Sequence, residues 1–208
     1  MKCKICEQRK PRRYCPGVTG DICSICCGNE REQTIDCPLD CPHLQDAHDH
    51  ERPLEIEPDK MPNRDIRLPE DFAQDNVTLM HLALALIYRG ALDTPGALDS
   101  DVGEAIEGVI RTLRTLESGL YYDSRPENPV AASIYREIRE DLDELRRHMV
   151  ENSFRIPDAQ LVATFVYLQR EALYRNNGRR KCRAFLDILH RMFPEAKPTE
   201  SAVPLIIT

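Results

Sequence analysis

Eight cysteines crowded into the first 41 residues constrain this chain more than any other feature of its sequence. They form the close pairs Cys3-x2-Cys6, Cys23-x2-Cys26 and Cys37-x3-Cys41, with Cys15 and Cys27 as single residues. A Cys-x-x-Cys pair lets two thiolates converge on one tetrahedral metal ion through a tight turn. The eight thiolates therefore fill two four-cysteine sites with none left over.

The segment that carries these cysteines, residues 1–45, contains too little apolar material to bury a core of its own. Metal binding can supply the missing folding free energy, so we expect a double metal-binding module here. Zn²⁺ is the expected ion, two per chain and structural in role, because four thiolates in tetrahedral geometry suit it. An iron–sulfur cluster is the less favoured alternative for the same ligands.

The order of the cysteines favours a cross-braced arrangement with two sets of ligands. The first quartet is Cys3, Cys6, Cys23 and Cys26, and the second quartet is Cys15, Cys27, Cys37 and Cys41. The neighbours Cys26 and Cys27 point in different directions on most backbones, which suits two different ions. His43 is an alternative ligand in the second set, because neutral imidazole binds zinc well.

Two resemblances to zinc-finger families accompany this pattern. Cys3-x2-Cys6, Tyr14-Cys15-Pro16 and Cys23-Ser24-x-Cys26 resemble the opening of HIT-type zinc fingers, which are cross-braced two-zinc modules. That family's second cysteine after the Cys-Pro step and its later histidine are missing, so Cys27, Cys37 and Cys41 would stand in for them. The resemblance therefore does not fix the ligand order of the second site.

A longer stretch of the chain is similar to an uncharacterised bacterial zinc-finger family. The similarity lies in Ile22-Cys23-Ser24-Ile25-Cys26-Cys27-Gly28-Asn29-Glu30-Arg31 and Cys37-Pro38-Leu39-Asp40-Cys41-Pro42-His43-Leu44, and extends to Tyr121-Tyr122 and residues 177–179. The similarity implies metal binding and a bacterial origin, but it implies no particular activity.

The remainder of the chain predicts a mainly α fold. Residues 46–68 are acidic and repeatedly interrupted by proline, which indicates an extended linker. From residue 69 to 208 the apolar residues recur at helical spacing and predict a bundle of about five helices with a short apolar C-terminal tail. The helices are expected at about 70–89 (ending at Gly90), from Ser100 or Asp101 to before Gly119, at 129–151, from Pro157 or Asp158 to Asn177-Gly178, and at 179–193.

The sequence favours a non-enzymatic protein. A catalytic zinc keeps an open coordination position, whereas four thiolates close the site. The chain has no Gly-rich phosphate loop, no Gly-x-Ser-x-Gly elbow and no His-Glu-x-x-His motif. Thiol redox chemistry uses one dithiol in a βαβ context, which this sequence does not predict.

Several other polar residues are interpreted as structural. His43, His48 and His50 with the nearby Asp46 and Asp49 could form an accessory metal site, but the start of a polar linker is preferred. His81 and Cys182 lie among apolar residues of predicted helices and are expected in the core. The loop from Tyr121 to Asn128 could line a ligand groove, although packing under the loop is the favoured interpretation.

Charge and compartment limit the choice of partner. A net charge of −7 argues against nucleic-acid binding through bulk positive charge, although basic clusters at 9–13 and 175–191 could grip phosphates locally. The opening residues Met1-Lys2-Cys3-Lys4 are not followed by the apolar stretch of a signal peptide, and no apolar run approaches the about 18 residues of a membrane span. We therefore expect a cytoplasmic protein with reduced thiols. The leading hypothesis is an interaction or adaptor protein with a protein partner, and the alternative is a nucleic-acid-associated regulator.

Overall fold

The computed structural model describes residues 1–52, 55–120, 122–151, 153 and 155–195. Within these residues the chain forms one small two-stranded sheet and eight helices. In chain order the elements are β1 (Arg13–Cys15), β2 (Gly20–Ile22), α1 (Ser24–Glu30), α2 (Pro42–His50), α3 (Phe72–Asp75), α4 (Val77–Leu92), α5 (Asp99–Glu117), α6 (Pro129–Glu151), α7 (Asp158–Arg175) and α8 (Ala184–Met192), with a 3₁₀ turn at Pro58–Lys60.

Helix α5 lies at the centre of the bundle and packs against α6 on one side and α7 on another. Its apolar residues recur every three or four positions, so one broad stripe turns inward, and Val102, Ile106 and Val109 are fully buried. Helix α4 packs against α6, and α8 closes the bundle against α4, α5 and α7. The predicted mainly α fold is confirmed, and the five predicted helices correspond to α4 to α8.

Two predicted features of the first bundle helix are wrong. The helix is interrupted at Asn76, whose side-chain amide donates to the carbonyl of Phe72, so the stretch divides into α3 and α4. Gly90 does not end α4, which continues to Leu92. A Cβ at Gly90 would lie 3.2 Å from the carbonyl oxygen of Ile134, so this glycine permits the close approach of α4 and α6.

The last predicted helix begins later than expected, at Ala184 rather than at residue 179. Residues 179–183 instead run along the Cys-rich module, where Lys181 N–H donates to the carbonyl of Glu32 and Arg183 N–H donates to its carboxylate. These contacts take the backbone donors away from helix formation.

The Cys-rich module combines the β1–β2 hairpin with helix α1, around a small core of its own. Helix α2 crosses the predicted module boundary at residue 45 and continues to His50, with Pro42 in its first turn and Leu44 buried in the module core. The stretch expected to be an extended linker therefore begins as helix.

Part of the predicted linker also contacts the bundle. The Arg170 guanidinium donates to the carbonyls of Pro62, Asn63 and Ile66, and the Asn63 amide donates to Gln169. The expected packing of the C-terminal tail lies outside the described residues.

Candidate metal centre

The first pair of the first quartet lies on a tight turn before the hairpin. The amide of Cys3 donates to the carbonyl of Arg9 at 2.9 Å, and the amide of Glu7 donates back to the carbonyl of Cys3 at 2.8 Å. Glu7 takes a left-handed conformation with φ of 54°, which folds the chain back after Cys6. The turn brings both thiols to the same side of the chain.

The second pair lies where β2 passes into helix α1. The sulfur of Cys23 caps that helix by accepting from the amide of Cys26 at 3.4 Å. The amide of Cys23 in turn donates to the sulfur of Cys3 at 3.2 Å, which ties the two pairs together. As a result, the four sulfur atoms of the first quartet all lie within 4.8 Å of one another.

This geometry fits a tetrahedral metal ion. Zn–S bonds of about 2.3 Å place neighbouring sulfurs about 3.8 Å apart. The sulfurs of the quartet, all within 4.8 Å of one another, need only small shifts to reach such a spacing. Three of its cysteines are buried, and all nine cysteines of the chain are free of disulfides. The first quartet is therefore a group that can hold a metal ion.

The electrostatics of the first quartet call for a cation. Burial opposes ionisation of Cys3, but the amides of Cys6, Cys23 and Ile5 outweigh it and lower its pKa to about 6. Burial, together with the neighbouring thiols, raises the pKa of Cys26 to about 12. A divalent ion at this position would favour the thiolate form of all four cysteines.

The second quartet is less compact. Cys15, Cys27 and Cys37 are buried in the module core and Cys41 is half-buried at the start of α2. Burial raises the pKa of Cys37 to about 11, and the charges of Glu32, Cys15 and Cys41 add to this. Among the described residues only the first quartet brings four sulfurs within 4.8 Å, and no such group includes His43.

Arginines of the basic segment 9–13 contact the thiols. The side chain of Arg9 donates a hydrogen bond to the thiol of Cys23. This bond and the negative charges of Cys6 and Cys26 raise the pKa of Arg9. The Arg13 guanidinium lies 3.8 Å from the sulfur of Cys27. These cations lie where they would offset the negative charge of thiolates around a metal ion.

A second polar cluster joins the module to the bundle, and sequence reasoning missed it. Glu32, His48 and Glu51 place their ligand atoms within 4.8 Å of one another. The His48 ring bridges two buried carboxylates, with Nε2 3.0 Å from Glu32 and Nδ1 3.0 Å from Asp187. Burial opposes the charge of His48, but the hydrogen bonds to Asp187 and Glu32 outweigh it and raise its pKa to about 9.

The sequence contains weak signals for this cluster. His48 follows the buried Leu44 by four residues, so both side chains lie on one face of α2. Asp187 interrupts the apolar stripe of α8. Neither signal identifies its partner. Among the described residues, the less favoured accessory set of His43, His48 and His50 with Asp46 and Asp49 does not appear as a group of converging ligands.

Asp99 and Cys182 form a third buried contact. The Asp99 carboxylate accepts from the amides of Phe185 and Leu186 at the start of α8 and from the thiol of Cys182. Cys182 is therefore a buried structural residue, as expected. His81, in contrast, is exposed and contacts the ring of Phe193, so its expected core position is wrong.

The described part of the loop after residue 121 is fastened to the bundle. The hydroxyl of Tyr135 donates to Asp123, and the amide of Ser124 donates to Thr112. The Asn128 amide donates to Asp101. Tyr121 lies outside the described residues, and Tyr122 is exposed.

Comparisons with family models, with curated proteins and with solved structures found no match to this chain. None of the helices in the described ranges is long and apolar enough to cross a membrane.

Proposed function

We propose that this chain is a zinc-binding interaction protein, in which structural metal folds the Cys-rich module and the bundle offers a surface to a protein partner. The observation that carries the proposal is the first quartet, whose four reduced thiols converge within 4.8 Å. Zinc is preferred because it suits tetrahedral thiolates and brings no redox chemistry.

We assign a second zinc ion to the second quartet. Three observations support the assignment: the burial of three of its thiols, the mutual charge effect of Cys37, Cys15 and Cys41, and the guanidinium of Arg13 beside Cys27. Binding of the ion would draw these four sulfurs together, as folding and metal binding are coupled in small modules.

Both ions would serve the fold rather than a reaction. Four thiolates leave no open position for a substrate or a water molecule. The module also supplies contacts to the bundle, since the carbonyls of Gly28 and Arg31 accept from Arg179. Metal loss is therefore expected to loosen this junction.

The partner surface that we propose is an apolar groove of about 340 Å³ between α4, α7 and α8. Val77 and Met192 are exposed at its edges although both are apolar, and Glu171 and Arg175 provide polar groups at the rim. An apolar floor with a polar rim is the composition of a protein–protein contact, and the groove suits an amphipathic helix of a partner.

The alternative function, a nucleic-acid-associated regulator, depends on the basic clusters at 9–13 and 175–191. Many of these cations have partners inside the protein. Arg9 and Arg13 face thiols, Arg183 donates to the carbonyls of Ala97 and Cys37, and Arg191 pairs with Asp49. Phosphate binding by these groups would have to break those contacts, so the protein partner is the favoured proposal.

The surface is tested with a matched pair of substitutions at exposed valines. Val77→Glu lies in the groove, and Val150→Glu lies on α6 with similar exposure. A protein captured by the wild type and by Val150→Glu, and lost with Val77→Glu, would support the groove. Equal capture by all three proteins would reject the groove as the partner surface. Capture that nuclease removes, together with DNA or RNA binding at about 50 mM salt, would favour the nucleic-acid alternative.

A further inference from the structure

The Glu32–His48–Glu51 cluster offers a set of ligands unlike either cysteine quartet. One imidazole and two carboxylates converge, with their ligand atoms within 4.8 Å of one another. Nitrogen and oxygen donors of this kind suit divalent ions such as Zn²⁺ and Mn²⁺.

The orientation of His48 is the one found in metal-binding histidines. Its Nδ1 lies 3.0 Å from a carboxylate oxygen of Asp187, which directs Nε2 toward Glu32. A carboxylate on the far ring nitrogen fixes the tautomer and ring position of a ligating histidine. The 3.0 Å separation of Nε2 and the Glu32 oxygen also matches two neighbouring ligands with bonds of about 2.0–2.2 Å.

The two glutamates are held in place by groups outside the cluster. The side-chain amide of Asn177 donates to both Glu32 and Glu51, each at 2.8 Å. The backbone amide of Arg183 binds the other oxygen of Glu32 at 2.6 Å. The carboxylates are therefore fixed side by side, which costs free energy unless a cation lies between them.

The buried charge beside the cluster is a second observation that points to a cation. Asp187 is wholly buried, its Oδ2 contacts His48 and Arg191, and its Oδ1 has no hydrogen-bond partner among the described residues. The Nε of Arg179 lies 3.7 Å from Oε1 of Glu51. Inside the cluster the cation is either a proton on His48 or a metal ion bound to the same nitrogen.

An ion has a route to this position from solvent. A cavity of about 230 Å³ opens beside the cluster, and its lining includes His48 and Glu51 together with Arg52, Arg175 and Arg191. Glu51 is only partly buried, and both it and His48 line the cavity, so two of the three ligands border that space. An open side also leaves room for water in the remaining coordination positions.

We propose that Glu32, His48 and Glu51 bind one divalent transition-metal ion at the junction of the Cys-rich module and the bundle, with Asp187 as the positioning residue for His48. This carboxylate–histidine site is separate from the thiolate sites. Its ion would exchange more readily, because it has fewer protein ligands and an open side.

The test is a titration with Mn²⁺ at neutral pH of protein whose exchangeable zinc has been removed by dialysis against a weak chelator, so that zinc remains only on the cysteines. Binding is followed by the loss of the free Mn²⁺ signal in electron paramagnetic resonance. Mn²⁺ prefers oxygen and nitrogen ligands and does not replace zinc on thiolates. The wild type is compared with Glu51→Gln, which removes a ligand charge at a partly exposed position. Asp46→Asn, exposed on the same helix, is the matched control.

We expect one Mn²⁺ per chain in the wild type and in Asp46→Asn, and an affinity at least roughly tenfold lower in Glu51→Gln. Unchanged zinc content in all three proteins would show that the thiolate sites are intact. No Mn²⁺ binding by the wild type, or equal binding by all three proteins, would overturn the proposal and leave His48 as a protonated bridge between two carboxylates.

Discussion

At the scale of single residues, this protein uses a few buried carboxylates to join distant parts of the chain. Asp99 begins α5, yet its side chain accepts two amides of the first turn of α8, those of Phe185 and Leu186. Helix termini leave such amides without partners, so a buried terminus needs an acceptor from elsewhere. The Glu32 carboxylate likewise accepts the amide of Arg183, just before α8.

The buried position of Asp99 predicts a pH dependence of stability. Burial raises its pKa from 3.8 to about 6. Between these values the folded state binds more protons than the unfolded state, so this residue's contribution to stability falls as pH rises from about 4 to about 6. The free energy of unfolding of the wild type, minus that of Asp99→Asn, should therefore fall by roughly 1–3 kcal/mol as pH rises over this range.

Urea unfolding at a series of pH values measures this difference. Ser100→Ala is the control, because Ser100 is the exposed neighbour of Asp99. Its difference from wild type should be constant with pH. A constant difference for Asp99→Asn as well would show that the carboxylate does not titrate in a buried environment.

At the scale of elements, glycines decide how closely the helices and loops approach. A Cβ at Gly108 of α5 would lie 2.9 Å from the carbonyl oxygen of Ser124 and 3.0 Å from the ring of Tyr135. The loop after residue 121 therefore lies directly on α5. Gly103, on the same helix, has no atom within 4 Å of the corresponding position.

Alanine substitutions at these two glycines should have opposite effects. Gly103→Ala should stabilise the protein by up to about 1 kcal/mol, because alanine is the better helix former. Gly108→Ala should destabilise it by about 1–2 kcal/mol, because overpacking against backbone outweighs helix propensity. Thermal unfolding of both variants measures the signs, and stabilisation by Gly108→Ala would show that the loop is not packed as described.

The five bundle helices could be predicted because each carries a local period of apolar residues, and the first quartet because Cys-x-x-Cys spacing is local. The contacts between them could not. His48 meets Asp187 across 139 positions and Arg179 meets Arg31 across 148, and neither pair belongs to a repeating pattern. The sequence likewise predicts a helix over the cationic segment 179–183, because its contacts with the Cys-rich module leave no local pattern.

At the scale of the whole molecule, the module and the bundle form a joined structure rather than two units on a free linker. The Arg183 guanidinium donates to the carbonyl of Ala97, two residues before α5, and to that of Cys37 in the module. Lys181 pairs with Asp36. Folding of the module and docking of the module should therefore be coupled.

Removal of the Arg183 side chain tests this coupling. Arg183→Ala should lower the free energy of unfolding by about 1–3 kcal/mol, because it leaves two partly buried carbonyls without a donor. It should also speed hydrogen exchange in residues 27–37. Arg180→Ala, at an exposed neighbouring position, is the control and should change neither measurement. Identical exchange in both variants would contradict the coupling.

The central claim is that thiolate-bound zinc folds the Cys-rich module, and zinc content by native mass spectrometry tests it most directly. Glu51→Gln serves as the parent, so that only thiolate-bound ions are counted. We predict two zinc ions per chain in this parent, one fewer after Cys6→Ser in the first quartet, and no change after Cys182→Ser in the bundle core. A folded protein without metal, or equal zinc content in the two cysteine variants, would contradict the account.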